Sequence, residues 1–175
     1  ARPRMIRKIL SPTDCTIQSK AGMAYAISLA RENSAELLFL HMAQMPIYQL
    51  ALLYQREYNR DRSIPGSFGR KILAENKSHL NQFVRNHFEE ELKQLRWSLE
   101  VRWGGISAGI LDIVEAKDID LIVMAKEDGG ISSLLSRSIS EAIRRKSGCP
   151  VVSIGAPFAG SPWRGRPLSV SEGIA

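Results

Sequence analysis

The chain has few of the residues from which disulfide frameworks, zinc sites and membrane spans are built. Its 175 residues include two cysteines, Cys15 and Cys149, which are too few for a disulfide framework and lack the spacing of zinc ligands. No apolar run is long enough to cross a bilayer, and the basic first residues lead into a predicted strand rather than a signal-peptide core. We therefore expect a cytoplasmic protein with no bound metal and no membrane span.

Aromatic residues are also scarce, at 7% of the chain, although the net charge is +6. Basic residues are interspersed with acidic ones except in residues 2–8 and 144–146. Aromatic side chains do not alternate with the basic ones, as a stacking platform for single-stranded nucleic acid requires. The charge pattern therefore indicates a solvated basic surface and argues against a nucleic-acid partner.

The chain lacks the residue patterns of common catalytic sites. There is no nucleophile elbow, and the predicted elements place no pair of carboxylates together. His41 closes a predicted strand with no predicted acid or nucleophile beside it, which favours a packed histidine. His79 and His87 lie on a predicted helix without metal-ligand spacing. These absences predict a binding protein rather than an enzyme.

Cys15 allows two interpretations. If it lay at the N-terminus of a helix, the helix dipole would lower the pKa of its thiol. As a small residue beside a turn, it could instead be packed and unreactive, which is the simpler expectation.

Apolar runs alternate with segments of helical periodicity along most of the chain. The runs occupy residues 6–10, 36–43, 98–103, 120–124 and 150–154, and the first is followed by a predicted turn, Ser11-Pro12-Thr13-Asp14. Five such alternations predict one α/β domain over residues 1–154, with a doubly wound parallel sheet covered by helices on both faces. Residues 44–69 are the least regular part, an insertion or lid, and residues 155–175 are predicted to form a flexible tail.

Ligands of such sheets bind beyond the carboxyl ends of the strands, where the strand order reverses. Residues 12–15, 42–44 and 125–138 follow predicted strands at that end. Asp14 could accept hydrogen bonds from a base amino group or a ribose hydroxyl, or it could cap the first helix. Ser138 is predicted to open the last helix, where it could donate to a phosphate or be an ordinary helix-start residue.

Four segments together resemble the universal stress protein family: KILSPTD, AELLFLHM, DLIVMAK and SISEAIRRKSGCPVVSI. The resemblance covers nearly all of residues 6–154. It implies a five-stranded sheet in the order 3-2-1-4-5, the adenine nucleotide alpha hydrolase-like arrangement. It also implies a homodimer formed by pairing of the last strand, here from Val151 to Ile154.

Members that bind ATP carry an aspartate after the first strand and a loop with three glycines before a serine or threonine. Asp14 and Ser138 match this pattern, whereas Ala125, Asp128 and Arg137 stand at or near the glycine positions. Arg137 and Lys126 could instead contact phosphate through their charges. The resemblance thus implies ATP or AMP as ligand and the following site: Pro12, Thr13, Asp14, Met42, Met124, Ala125, Lys126, Arg137, Ser138 and Ile139.

Three functions follow from these observations. The first is a non-catalytic, homodimeric stress-response protein with a degenerate nucleotide-binding loop. The second is an ATP- or AMP-binding switch, with slow hydrolysis as an option, that uses Asp14, Lys126, Arg137 and Ser138. The third is a module that binds a protein partner through an arm formed by residues 44–69.

Overall fold

The computed structural model of the chain describes residues 5–43, 66–126 and 131–155, and for residues 66–68 and 131–137 it describes the backbone alone. Strands and helices alternate along the described chain, with a 3-10 turn at Ile17–Ser19 before the first helix. In chain order they are β1 (Lys8–Pro12), α1 (Lys20–Asn33), β2 (Glu36–Ala43), α2 (Gly66–Leu92), β3 (Trp97–Trp103), α3 (Ile106–Lys117), β4 (Leu121–Lys126), α4 (Ile131–Ser147) and β5 (Val151–Gly155).

The five strands form one parallel sheet, as the alternation of elements predicts, and their order β3-β2-β1-β4-β5 is the one that the family resemblance implies. Strand β1 lies at the centre, and its Leu10 is in register with Leu38 of β2 and with Ile122 of β4. All three of these leucine and isoleucine side chains are less than 9% exposed. A parallel sheet needs this apolar content because helices cover both of its faces.

Alternate residues of the central strands supply two separate cores. On one face, Ile9 and Phe39 pack with residues of α1 and α2. On the other face, Leu10 and Leu40 pack with residues of α3 and α4, among them Ile113. The period of two along a strand sends successive side chains to opposite faces, so one strand serves both layers.

The first strand ends later than the sequence predicts. Strand β1 continues through Pro12, so Ser11 and Pro12 are part of the strand and not of a turn. Proline is tolerated there because β1 pairs with β4 only as far as Leu10, and beyond it the missing N–H removes no bond to β4. Helix α1 ends at Asn33, where Ser34 has a left-handed backbone with φ of 52°.

Two helices begin earlier than predicted. Helix α2 starts at Gly66, so residues 66–69 are helical rather than irregular. Helix α4 starts at Ile131, which places Ser138 inside the helix and not at its opening. Residues 131–147 contain no glycine or proline that would interrupt the helix. Most of the predicted insertion, at 44–65, and of the tail, at 156–175, lies outside the described residues.

Gly22 allows helix α1 to approach strand β4 closely. A Cβ atom at this position would lie 2.7 Å from the backbone nitrogen of Ala125 and 3.0 Å from the carbonyl carbon of Met124. Both neighbours are backbone atoms of a central strand, so they cannot rotate away as a side chain would.

We predict that Gly22→Ala lowers the free energy of unfolding by about 1–3 kcal/mol, because the new methyl group overpacks the contact between α1 and β4. Helix propensity alone would favour alanine by about 1 kcal/mol. The matched control is Gly109→Ala in α3, whose methyl group would meet the flexible side chain of Met42 rather than backbone atoms. Urea denaturation measures both variants, and a Gly22→Ala variant as stable as the parent would contradict the close contact.

Candidate functional site

A pocket opens at the carboxyl end of the sheet, where β1 separates from β4. The register of β1 with β2 extends to the pair Pro12 and Leu40, but its register with β4 stops at Leu10 and Ile122. The strand order reverses at this point, as in the ligand crevices of doubly wound sheets. The pocket has a volume of about 410 Å³, which falls within the usual range for small-molecule sites.

Seven of the ten residues predicted from the sequence line this pocket: Pro12, Thr13, Asp14, Met42, Met124, Ala125 and Ile139. Seven further lining residues did not figure in the sequence-based site, and they come from four different elements or turns: Thr16, Gln18, Ser19, Leu40, His41, Asn76 and Ile106. The run of polar residues after Asp14 is a sequence signal for three of them, Thr16, Gln18 and Ser19. Asn76 gives no local signal, because helix α2 reaches the pocket only in the folded chain.

The other three predicted residues are not placed in the pocket. Lys126 and Ser138 are exposed and do not belong to the pocket lining. Ser138 lies within α4, so it is away from the free N–H groups of the first helical turn. The side chain of Arg137 and the whole of Asp128 lie outside what the structure describes.

One side of the pocket is apolar. It is formed by Leu40 and Met42 of β2, Met124 of β4, Ile106 at the start of α3 and Ile139 of α4. The Met42 thioether lies against Gly109 of α3, where a Cβ atom would collide with it. The resulting surface suits a flat or aliphatic ligand group, which would be removed from water there.

Asp14 stands at the rim of the pocket and is held by a local turn. Its Oδ1 accepts hydrogen bonds from the backbone nitrogen of Thr16, at 3.0 Å, and from Thr16 Oγ1, at 2.6 Å. Within the described part of the chain Oδ2 has no hydrogen bond, so it is available to a donor on a ligand. The N-cap of α1 is Ser19, and the prediction that Asp14 caps the first helix is therefore wrong.

Two buried hydroxyls hold the loop that carries Asp14. Ser19 Oγ donates to the carbonyl oxygen of Thr16 at 2.7 Å, and Thr13 Oγ1 lies 2.9 Å from Ser19 Oγ. Thr13 Oγ1 also accepts a hydrogen bond from the backbone nitrogen of Cys15 at 3.1 Å. Since Thr13 and Ser19 are 7% and 6% exposed, the hydrogen bond between their hydroxyls is shielded from water and helps to fix the loop.

Cys15 has a neutral thiol. Burial, with a smaller contribution from the negative charge of Asp14, raises its pKa from 9.0 to about 11. The interpretation with a lowered pKa is wrong because the first helix begins at Lys20 and not at Cys15. Cys15 packs against the core on the α1 face and has a left-handed backbone with φ of 61°.

His41 is hydrogen-bonded on both sides of its ring. Nδ1 lies 2.9 Å from the carbonyl oxygen of Thr13, and Nε2 lies 3.2 Å from Oδ1 of Asn76. The sequence predicts a packed histidine, and the ring is indeed half-buried, but it also lines the pocket. It therefore connects the loop after β1 to helix α2 across the wall of the site.

Among residues 5–43, 66–126 and 131–155, no group of three or more histidine, cysteine or acidic side chains is placed to hold a metal ion. Over the same described residues, no helix combines the length and the apolar character that crossing a membrane requires.

The strand order, the helices on both faces and the crevice beside β1 define a doubly wound protein of the adenine nucleotide alpha hydrolase-like fold. The model of the universal stress protein family matches residues 5–154. The chain belongs to the universal stress protein family.

Individual relatives are distant in sequence. Universal stress protein MJ0531 of Methanocaldococcus jannaschii is 23% identical over 164 residues, which cover 87% of this chain and 84% of the relative. The solved structure of hypothetical protein MJ0577 aligns with a TM-score of 0.61 at 19% identity, over 89% of this chain and 100% of that chain. The solved structure of a universal stress protein family protein from Arabidopsis thaliana with AMP bound aligns with a TM-score of 0.52 at 15% identity. The alignment covers 90% of this chain and 97% of that chain.

The raised pKa of Cys15 predicts slow alkylation. In a Cys149→Ser variant, in which Cys15 is the single remaining cysteine, iodoacetamide should react at pH 9 more than about tenfold more slowly with the native protein than with the urea-unfolded chain. The rate should keep rising with pH toward a midpoint near 11. The alkylation rates are measured by quenching the reaction at successive times and quantifying the product by mass spectrometry. Equal rates for the native and the unfolded protein would contradict the burial of the thiol.

Proposed function

We propose that this protein binds an adenine nucleotide and acts through binding rather than turnover. The observation that carries the proposal is the pocket between β1 and β4, where the available Oδ2 of Asp14 stands at the rim of an apolar surface. The nucleoside part of the ligand occupies this pocket, and the phosphate end contributes little to the affinity.

The nucleoside part finds complementary chemistry in the described pocket. An exocyclic amino group or a ribose hydroxyl can donate to Asp14 Oδ2, and a hydrogen bond to a charged acceptor is stronger than one between neutral groups. The apolar side chains of Met124 and Ile139 offer contact area for a base. AMP in the Arabidopsis thaliana relative supports this choice of ligand, although the likeness at 15% identity extends to the fold alone.

The sequence that follows β4 lacks the three glycines that ATP-binding members of the family carry in the loop that contacts phosphate. Ala125 ends the apolar part of β4 and lines the pocket, and Asp128 adds a negative charge to the loop sequence. A negative charge near a phosphate disfavours binding, and more strongly so for a polyphosphate. The exposed Lys126 lies off the pocket lining, which weakens the alternative in which it helps to hold ATP. We therefore expect the number of phosphates to contribute little to affinity.

The absence of turnover is part of the proposal. Asp14 and His41 are the ionisable side chains of the described pocket lining, and hydrogen bonds within the protein engage His41 on both ring nitrogens. A hydrolase would need a base or a charged group directed at the phosphate. A cytoplasmic location and a single domain over residues 1–154 complete the proposal.

A homodimer is a further part of the proposal. Strand β5 is an edge of the sheet and pairs with β4 through one side of its backbone, as Ile122 and Val151 show. An open edge can pair with the same edge of a second copy. The alternative partner arm, at residues 44–69, falls largely outside the described residues and stays a prediction.

We predict that Asp14→Asn weakens AMP binding about 10- to 100-fold, the range expected for a lost hydrogen bond to a charged group. The asparagine Oδ1 can still accept hydrogen bonds from Thr16, so the turn survives. An amide NH2 group replaces Oδ2, so the acceptor that faces the ligand is gone. Isothermal titration with AMP, ADP, ATP and adenosine measures the effect.

Glu32→Ala is the matched control, because it removes an exposed carboxylate of α1 that is not part of the pocket lining. Its affinity for AMP should equal that of the parent. Unchanged AMP affinity in Asp14→Asn would contradict the proposed contact. A gain of more than about tenfold from AMP to ATP would contradict the weak phosphate end.

A further inference from the structure

Arg144 of α4 covers part of the open edge of strand β5. Its Nη2 donates to the carbonyl oxygen of Val151 at 3.1 Å. The backbone nitrogen of Ile122 in β4 donates to the carbonyl oxygen of Pro150 at 3.0 Å, so the backbone of Pro150 faces β4. Since the backbone groups of successive residues in a strand point to opposite sides, the carbonyl oxygen of Val151 faces away from β4. The Arg144 side chain thus covers the first acceptor of β5 on its open edge.

The rest of the same edge offers backbone groups to a second strand. By the same alternation, the N–H and carbonyl groups of Ser153 and Gly155 face away from β4, whereas those of Val152 and Ile154 face it. Within the described part of the chain, no hydrogen bond engages the backbone of Ser153 on the open side. The edge is therefore covered at its first residue and open from Ser153 onward.

Strand β5 is self-complementary in one antiparallel register. It has five residues, Val151–Gly155, and Ser153 is the middle one. When Ser153 lies opposite Ser153 of a second copy, all five residues are paired and each Val152 lies opposite an Ile154. Both of these apolar side chains are partly buried against the core on the α1 face. Pairing them across the interface removes more of their surface from water.

Arg144 disfavours the register in which Val152 lies opposite Val152 of the second copy. In that register each hydrogen bond between the two β5 strands would join Val151 to Ser153. Half of these bonds would need the carbonyl oxygen that Arg144 covers, and covering an edge with a charged side chain is a common way to prevent strand pairing. The register centred on Ile154 avoids this oxygen but pairs only the last three residues of β5.

We propose that Arg144 covers the first acceptor of the β5 edge and thereby directs a second copy of the chain to pair antiparallel, with Ser153 opposite Ser153. The inference rests on the homodimer of the proposed function and specifies its interface. Antiparallel pairing places the carboxyl ends of the two sheets at opposite ends of the dimer. The two ligand pockets, which lie at those ends, therefore open in opposite directions.

Cysteine cross-linking tests the register. Ser153→Cys places two thiols in a hydrogen-bonded pair with Cα atoms about 5.5 Å apart, within the span of about 4.4–6.8 Å that a disulfide allows. Val152→Cys and Ile154→Cys place them on a diagonal of about 7–8 Å. In oxidised glutathione, Ser153→Cys should form a cross-linked dimer on non-reducing gels. The two flanking variants should stay at the level of the parent, which controls for the native Cys15 and Cys149.

Arg144→Ala in the Val152→Cys background tests the role of the arginine. Removing the guanidinium uncovers the Val151 oxygen, so the register centred on Val152 becomes accessible. The cross-linked fraction should then rise about 2- to 10-fold, the worth of one hydrogen bond.

Arg145→Ala in the same background is the matched control. It removes another exposed arginine of α4, one that has no hydrogen bond or ion pair within the described residues, and it should leave the cross-linked fraction unchanged. No rise with Arg144→Ala, or the same rise with Arg145→Ala, would overturn the role of Arg144.

Sedimentation of the parent and titration with AMP separate this proposal from the proposed function. A dimer that cross-links through Val152→Cys or Ile154→Cys rather than Ser153→Cys overturns the register and leaves the homodimer standing. A parent protein that is monomeric at the concentrations used for cross-linking overturns the homodimer and this interface together. If Ser153→Cys cross-links as expected while AMP fails to bind, the interface is supported and the nucleotide proposal has failed.

Discussion

The unequal pairing of strand β1 is the constraint on which the site depends. Beyond Leu10 the strand remains in register with β2 through Pro12 but no longer with β4. Proline lacks the N–H that continued pairing would use, so the sequence itself favours the separation at this point. The opening lies where helices change from one face of the sheet to the other, and the pocket occupies it.

The opening becomes a defined site because the loop after β1 is tied down at many points. The hydroxyls of Thr13 and Ser19 hold it from inside, and Thr16 holds one oxygen of Asp14. His41 holds the same loop from β2 and α2. A carboxylate fixed in this way loses little conformational freedom when a ligand binds, and such preorganisation contributes directly to affinity.

The sequence predicted the sheet well because its strands are continuous apolar runs, and strand β2 begins and ends where the run from Glu36 to Ala43 does. It placed Asp14 at the carboxyl end of β1, where the pocket lies, but one of its two interpretations made Asp14 the cap of the first helix, whereas a short turn intervenes before α1. It missed Asn76 because the hydrogen bond to His41 joins residues 35 positions apart. Local patterns predict elements, whereas contacts between elements depend on how they pack.

The central claim is that an adenine nucleotide binds between β1 and β4 with Asp14 as its acceptor. The most direct measurement is a crystal structure of the protein grown with saturating AMP. The account predicts nucleoside density against Met124 and Ile139, with a ligand N–H or O–H within about 3.2 Å of Asp14 Oδ2. AMP bound at another surface, or a pocket that stays empty of nucleotide under these conditions, would contradict it.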